Sequence, residues 1–170
     1  MESVYGDKNH EEREFRDEKF RLIVEGALKR GGALLIPAFS LERTQMILAK
    51  LDDLFESKKL PPTPVYLDSP LAIKLTAIYE RAKSLYNGKI QKEIAAGDDP
   101  FKFAHLRETA RVEDSRQIGV MPNPKIILAG SGMSTAGRIL GHEKHYLPDP
   151  KSTILFMGYQ AVGTMGRKIE

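Results

Sequence analysis

The stretch Pro124 to Leu147, PKIILAGSGMSTAGRILGHEKHYL, constrains the fold of this chain more than any other. Lys125 to Ala129 is a short apolar run with two isoleucines, the pattern of a buried strand. Gly130, Gly132 and Gly137 break it, with Ser131, Ser134 and Thr135 between them. An amphipathic segment follows, with Ile139, Leu140, Tyr146 and Leu147 as its apolar positions. A strand that enters a loop of small residues and leaves as a helix turns backbone N–H groups toward one edge, and helix N-termini attract anions. The turn is therefore a candidate phosphate site. It matches neither common phosphate motif. A P-loop needs Lys and then Ser or Thr after its second glycine, but Arg138 and Ile139 follow Gly137. The dinucleotide fingerprint needs a third glycine where Thr135 stands. A plain tight turn accounts for the glycines equally well.

The same strand-then-helix pattern recurs along the chain. Ile23, Val24, Ala27 and Leu28 form one face of a helix whose solvated first turns are the mixed-charge run EEREFRDEK and which ends at Gly31-Gly32. Ala33 to Phe39 reads as a second buried strand, and Ser40 as the cap of the next helix, whose stripe is Ile47, Leu48, Leu51, Leu54 and Phe55. Val65 to Leu67 is a third strand, and Asp68-Ser69-Pro70 a helix start with proline in the first turn. A short strand is expected near Leu106 to Ala110 and a last one at Thr153 to Met157. The tail from Gly158 to Arg167 carries no helical pattern. Such alternation predicts a single α/β domain, residues 1–170, with a doubly wound, mostly parallel sheet covered by helices on both faces. Ligands of such sheets sit beyond the carboxyl ends of the strands. Pro37 to Ser40, Asp68-Ser69, Gly130 to Thr135 and Gly158-Tyr159 all fall at that edge.

Composition narrows the classes of function. With 170 residues, 41% of them hydrophobic, the chain is long enough for a real core. The net charge of +3 suits a polyanionic partner. The absence of cysteine excludes disulfides and thiolate zinc sites and fits a cytoplasmic location. No apolar run is long enough to span a bilayer, so no membrane partner is expected.

Several blocks taken together resemble the metallo-β-lactamase/β-CASP RNA nucleases, a family that includes the endonuclease of mRNA 3′-end processing and ribonuclease J. Glu2-Ser3-Val4-Tyr5-Gly6 with His10 looks like its acidic motif A segment. Leu35-Ile36-Pro37-Ala38-Phe39-Ser40-Leu41-Glu42-Arg43-Thr44-Gln45 looks like the strand and helix that follow it. Leu67-Asp68-Ser69-Pro70-Leu71-Ala72 is similar to the next junction, and Gly130-Ser131-Gly132-Met133 to a glycine–methionine turn. Gly158-Tyr159-Gln160-Ala161 and Gly163-Thr164-Met165-Gly166-Arg167 complete the series. The resemblance implies a Rossmann-like β-CASP domain, the substrate-binding cap of a zinc-dependent nuclease that hydrolyses RNA phosphodiesters. The HxHxDH signature of the zinc-binding core is not in this sequence. The expectation is a cap excised from a larger parent, inactive alone and without a metal of its own, the two zinc ions belonging to the parent's core.

By the same resemblance, Glu2 is an auxiliary catalytic acid of the parent. His10, Ser131, Gly132, Met133, Tyr159, Thr164 and Arg167 are the expected substrate-binding residues. Tyr159 suits base stacking and Arg167 phosphate contact. The expected partners are single-stranded RNA, the metallo-β-lactamase core of the same parent and a second copy of the chain. The competing reading is a Rossmann-like nucleotide or sugar-phosphate binding module. Asp68 reads as turn chemistry. His142 and His145, three apart in HEKH, read as residues of a solvent-facing helix rather than metal ligands.

Overall fold

The computed structural model describes residues 5–7, 9 and 12–170. Among these, five strands form one all-parallel sheet with the order β3-β2-β4-β1-β5. The strands are β1 (Ala33–Pro37), β2 (Val65–Asp68), β3 (Leu106–Glu108), β4 (Lys125–Ala129) and β5 (Thr153–Ile154). Seven helices connect and cover them: α1 (Arg13–Arg30), α2 (Arg43–Glu56), α3 (Pro70–Arg81), α4 (Gly88–Ala95), α5 (Val112–Gln117), α6 (Ile139–Tyr146) and α7 (Met165–Ile169).

The pleat of the central strands sorts the core into two layers, because successive side chains point to opposite faces. Leu34 and Ile36 of β1, Val65 and Leu67 of β2, and Ile126 and Leu128 of β4 pack with α1, α2 and α3 through Val24, Leu28, Ile47, Leu48, Leu51 and Ala72. Leu35, Ile127 and Ala129 face the other way, onto Ile139 and Tyr146 of α6 and onto Ile118. Helices therefore cover both faces, and β4 is central and buried along its whole length, as a doubly wound parallel sheet requires. Lys125, the first residue of β4, is buried with the rest. Its ammonium donates to the carbonyls of Ile118 and Met121 at 2.8 and 2.6 Å and lies 4.9 Å from the Tyr146 ring centre. Burial lowers its pKa.

Most element boundaries follow local chemistry. Gly31 closes α1 in the left-handed region at φ 79°. The Ser69 hydroxyl caps α3 by accepting from the Ala72 N–H at 3.3 Å, with Pro70 in the first turn. Several boundaries differ from the sequence reading: β1 ends at Pro37 rather than Phe39, and β3 at Glu108 rather than Ala110. Helix α2 starts at Arg43, not after Ser40, because Glu42 turns the chain with φ 60°; the Ser40 hydroxyl lies instead 3.5 Å from that of Ser69. Strand β5 stops at Ile154. The tail forms a short helix, α7, because Thr164 caps it, accepting from the Arg167 N–H at 3.3 Å.

Candidate nucleic-acid interface

The carboxyl ends of β1, β4 and β5 meet at one edge, and a buried acid organises the layer beneath it. Asp68, the last residue of β2, is 0% exposed. One carboxylate oxygen accepts from Arg138 Nη1 at 2.7 Å and from the Thr109 hydroxyl at 2.8 Å. The other accepts from the Ser115 hydroxyl at 2.6 Å and lies 2.6 Å from His142 Nε2. Burial alone would raise the Asp68 pKa, but hydrogen bonds from His142, Ser115, Thr109 and Arg138 outweigh it and hold the acid at about 2. Arg138 also donates to the carbonyls of Thr109 and Ala110 at 2.6 and 2.9 Å. One carboxylate thus ties the ends of β2 and β3 to α5 and α6. This corrects two expectations. Asp68 is an electrostatic hub rather than local turn chemistry, and His142 faces inward, 7% exposed, to meet it. His145 does face outward, packed edge-on against Tyr146.

Above this hub sits the glycine turn. Gly137 takes φ 78°, and a Cβ there would collide with the Gly130 carbonyl group. The turn is closed on itself. The Ser131 hydroxyl accepts from the N–H groups of Thr135 and Ala136 at 2.9 and 3.3 Å, and the Ser131 N–H donates to the Ala136 carbonyl at 3.1 Å. Ser134 donates its hydroxyl to Glu143, and its N–H reaches the Ser131 carbonyl at 3.2 Å. The N–H groups of Ser131, Ser134, Thr135 and Ala136 are therefore engaged within the turn rather than open to an anion. Gly132 does require the absence of a side chain, but the reason is internal: a Cβ would lie 2.8 Å from the Phe39 ring and 3.0 Å from the Phe39 backbone nitrogen.

The turn and the C-terminal tail come together, as their shared edge predicts. The Gly166 N–H donates to the Met133 carbonyl at 3.0 Å, and the Gln160 amide to the Gly132 carbonyl at 3.1 Å. Thr164 is half-buried as the α7 cap, and Arg167 is exposed, 2.7 Å from Glu170. Glu2 and His10 lie outside the described residues.

A cleft of about 210 Å³ opens at this edge between Tyr5, Phe39, Arg43, Gly132, Met133 and Tyr159. The Tyr159 N–H donates to the Tyr5 hydroxyl at 2.8 Å, which holds the two phenols at one mouth. The cleft continues through Tyr5, Arg43 and Met157 into a larger groove of about 610 Å³ beside β5. Among the described residues, Arg16, Lys19, Arg43 and Lys50 line that groove against a single carboxylate, Asp17, which pairs with Lys50. The structure thus brings Gly132, Met133 and Tyr159 into one cleft and leaves the Arg167 side chain outside its lining. Sequence reasoning missed Phe39, Arg43 and the basic residues of α1 and α2. Arg43 stood in one of the family-like blocks, but its aim toward the cleft depends on the turn at Glu42.

A doubly wound parallel sheet with an aromatic and cationic groove at its carboxyl edge defines a Rossmann-like domain suited to a polyanionic ligand. The Beta-Casp domain model matches residues 44–169 of the chain, which belongs to that family. The chain is 39% identical over 170 residues to Ribonuclease TTHA0252 of Thermus thermophilus, covering 99% of the chain and 38% of the relative. It is 33% identical to the transcription termination factor FttA of Methanosarcina mazei, covering 99% and 27% of the two. It is 32% identical to the cleavage and polyadenylation specificity factor 73 of Drosophila melanogaster, covering 99% and 24%. The chain therefore spans 24% to 38% of the length of these relatives. No helix among the described residues is long and apolar enough to cross a membrane.

Proposed function

We propose that this domain is the RNA-binding cap of a phosphodiester-cleaving RNA nuclease, and that single-stranded RNA runs along the groove at the carboxyl edge of β1, β4 and β5. The observation that carries the reading is the placement of Arg43 among Tyr5, Phe39 and Tyr159 at that edge. Single-stranded RNA is held by stacking on aromatic rings and by cations that follow its phosphates. The glycine turn has a supporting part: it is held rigid from below by Arg138 and His142 on Asp68, and it leaves the Phe39 ring half-exposed. Arg167, outside the lining and paired with Glu170, follows Gly166, whose N–H meets Met133 of the cleft, and its exposed guanidinium is a further candidate phosphate contact.

Hydrolysis itself is assigned in this proposal to the rest of the parent, whose two zinc ions would supply Lewis-acid chemistry. The described residues lining the groove supply one carboxylate, Asp17, which is paired with Lys50, and no histidine, so this donor set does not fit zinc and no catalytic step is routed through it. The metallo-β-lactamase core, a second copy of the chain and a cytoplasmic setting belong to the same proposal.

The test is fluorescence anisotropy of labelled single-stranded RNA over a salt series. Arg43→Ala should weaken binding and lower the salt slope by about one unit, because one phosphate is no longer neutralised. Tyr159→Ala should cost about 1–3 kcal/mol of affinity, as a stacking partner does, with little change of slope. Circular dichroism controls for folding. If both variants fold and bind like the wild type at every salt concentration, the groove is not the RNA path. Gly132→Val is unsuitable, because its clash with the Phe39 backbone would alter the fold first.

A further inference from the structure

A second cleft, of about 320 Å³, lies on the other side of α2, between its C-terminal half and the loop that leads to β3. Asp52 and Glu56 stand one helical turn apart on α2 and so project from the same face. Asp98 comes from the loop, just after Gly97 reverses the chain with φ 98°. One carboxylate oxygen from each of Asp52, Glu56 and Asp98 lies within 4.8 Å of the others.

Asp52 sets this cluster apart from an ordinary acidic surface. It is 3% exposed and lines the cleft, yet its carboxylate makes no hydrogen bond or ion pair with the described residues. Buried carboxylates are normally paired with a donor or a cation. Here the neighbouring charges have the same sign. Burial, reinforced by Asp98, Glu56, Asp53 and Asp99, pushes the Asp52 carboxyl up to about 7. Lys102 lines the same cleft but is committed to Glu80 at 2.6 Å. His105, also at the rim, stands edge-on to Phe55.

We infer that Asp52, Glu56 and Asp98 form a binding site for a hard divalent cation of the calcium type. An all-oxygen set of carboxylates is the donor chemistry such ions take. Carboxylates drawn from a helix end and from a loop suit calcium's irregular six- to eight-oxygen shell better than the near-ideal octahedron that magnesium demands, with water completing the shell. The ion would pin the last turn of α2 to the loop that feeds the edge strand β3. The site shares no lining residue with the groove.

Isothermal titration of the chain with calcium chloride, and separately with magnesium chloride, at neutral pH tests this. The wild type should bind one calcium saturably with a dissociation constant at or below about 1 mM, the weak end for built calcium sites. Calcium should also raise its melting temperature, because the ion binds only the folded state. Asp52→Asn and Asp98→Asn should each weaken calcium binding by about tenfold or more, since affinity follows the number of charged ligands. Asp98 lies in a loop, so its variant reports even if the buried substitution disturbs folding. The site is refuted if the wild type shows neither saturable heat nor a melting shift at millimolar calcium, or if the folded variants bind as it does. Magnesium binding as tight as calcium overturns the choice of ion.

Discussion

Replacing Asp68 by Asn tests whether one buried carboxylate holds the layer under the interface. Asn keeps the shape and removes the charge. It must also turn an NH₂ group toward one pair of donors, either Arg138 and Thr109 or Ser115 and His142. Removing one partner of a buried ion pair costs about 3–5 kcal/mol. The lower end applies here, because Arg138 keeps two carbonyl acceptors at Thr109 and Ala110. A loss of about 3 kcal/mol in a chain of this size lowers the melting temperature by about 6–12 °C. The effect depends on pH. The acid titrates at about 2 in the folded state against an ordinary value of 3.8, a difference of nearly two units, worth about 2 kcal/mol. A lowered carboxyl pKa stabilises above the unfolded value and stops doing so as pH falls through the folded one. The gap between wild type and Asp68→Asn should therefore be full at neutral pH and above about 4, and should shrink between about 4 and 2. Thermal melts by circular dichroism at several pH values provide the assay. A variant that melts within about 2 °C of the wild type at neutral pH refutes the view that this network holds the fold.

Two further substitutions probe the edge itself. Gly137→Ala drives a Cβ into the Gly130 carbonyl group in a left-handed conformation, so it should lose about 2 kcal/mol or more in a denaturant titration. Gly166→Ala drives a Cβ into Gln160 Oε1, and that side chain cannot easily yield, because its amide donates to the Gly132 and Gly158 carbonyls. It should cost about 1–3 kcal/mol and loosen the tail from the turn, read as faster amide exchange at residue 166. A Gly166→Ala chain with wild-type stability and exchange would show that the tail does not depend on this close approach.

Local chemistry made most of the elements legible. Short apolar runs between glycines and prolines marked β1, β2 and β4, because parallel strands covered on both faces must be apolar throughout. The Ser69-Pro70 start and the Gly31 stop were readable because a cap is satisfied by residues three or four positions away. Ser40 shows where that logic fails. It has the right side chain for a cap, but the backbone turns later, at Glu42, and tertiary contacts decide which serine caps what.

The family and the strand–helix order were determined by the sequence alone, since both rest on neighbouring residues and on the spacing of apolar positions. The hub at Asp68 was not. His142 is 74 positions away and Arg138 is 70, and only the β2–β4 pairing, Asp68 beside Ala129, brings them into reach. The burial of the Asp52 carboxylate has the same origin. A charged residue in a sequence is read as solvated until the packing of distant elements removes the water, and that packing exists only in the folded chain. The groove follows suit. Tyr5, Arg43, Gly132 and Tyr159 are scattered along the chain and become one surface because parallel strands deliver their carboxyl ends to a common edge.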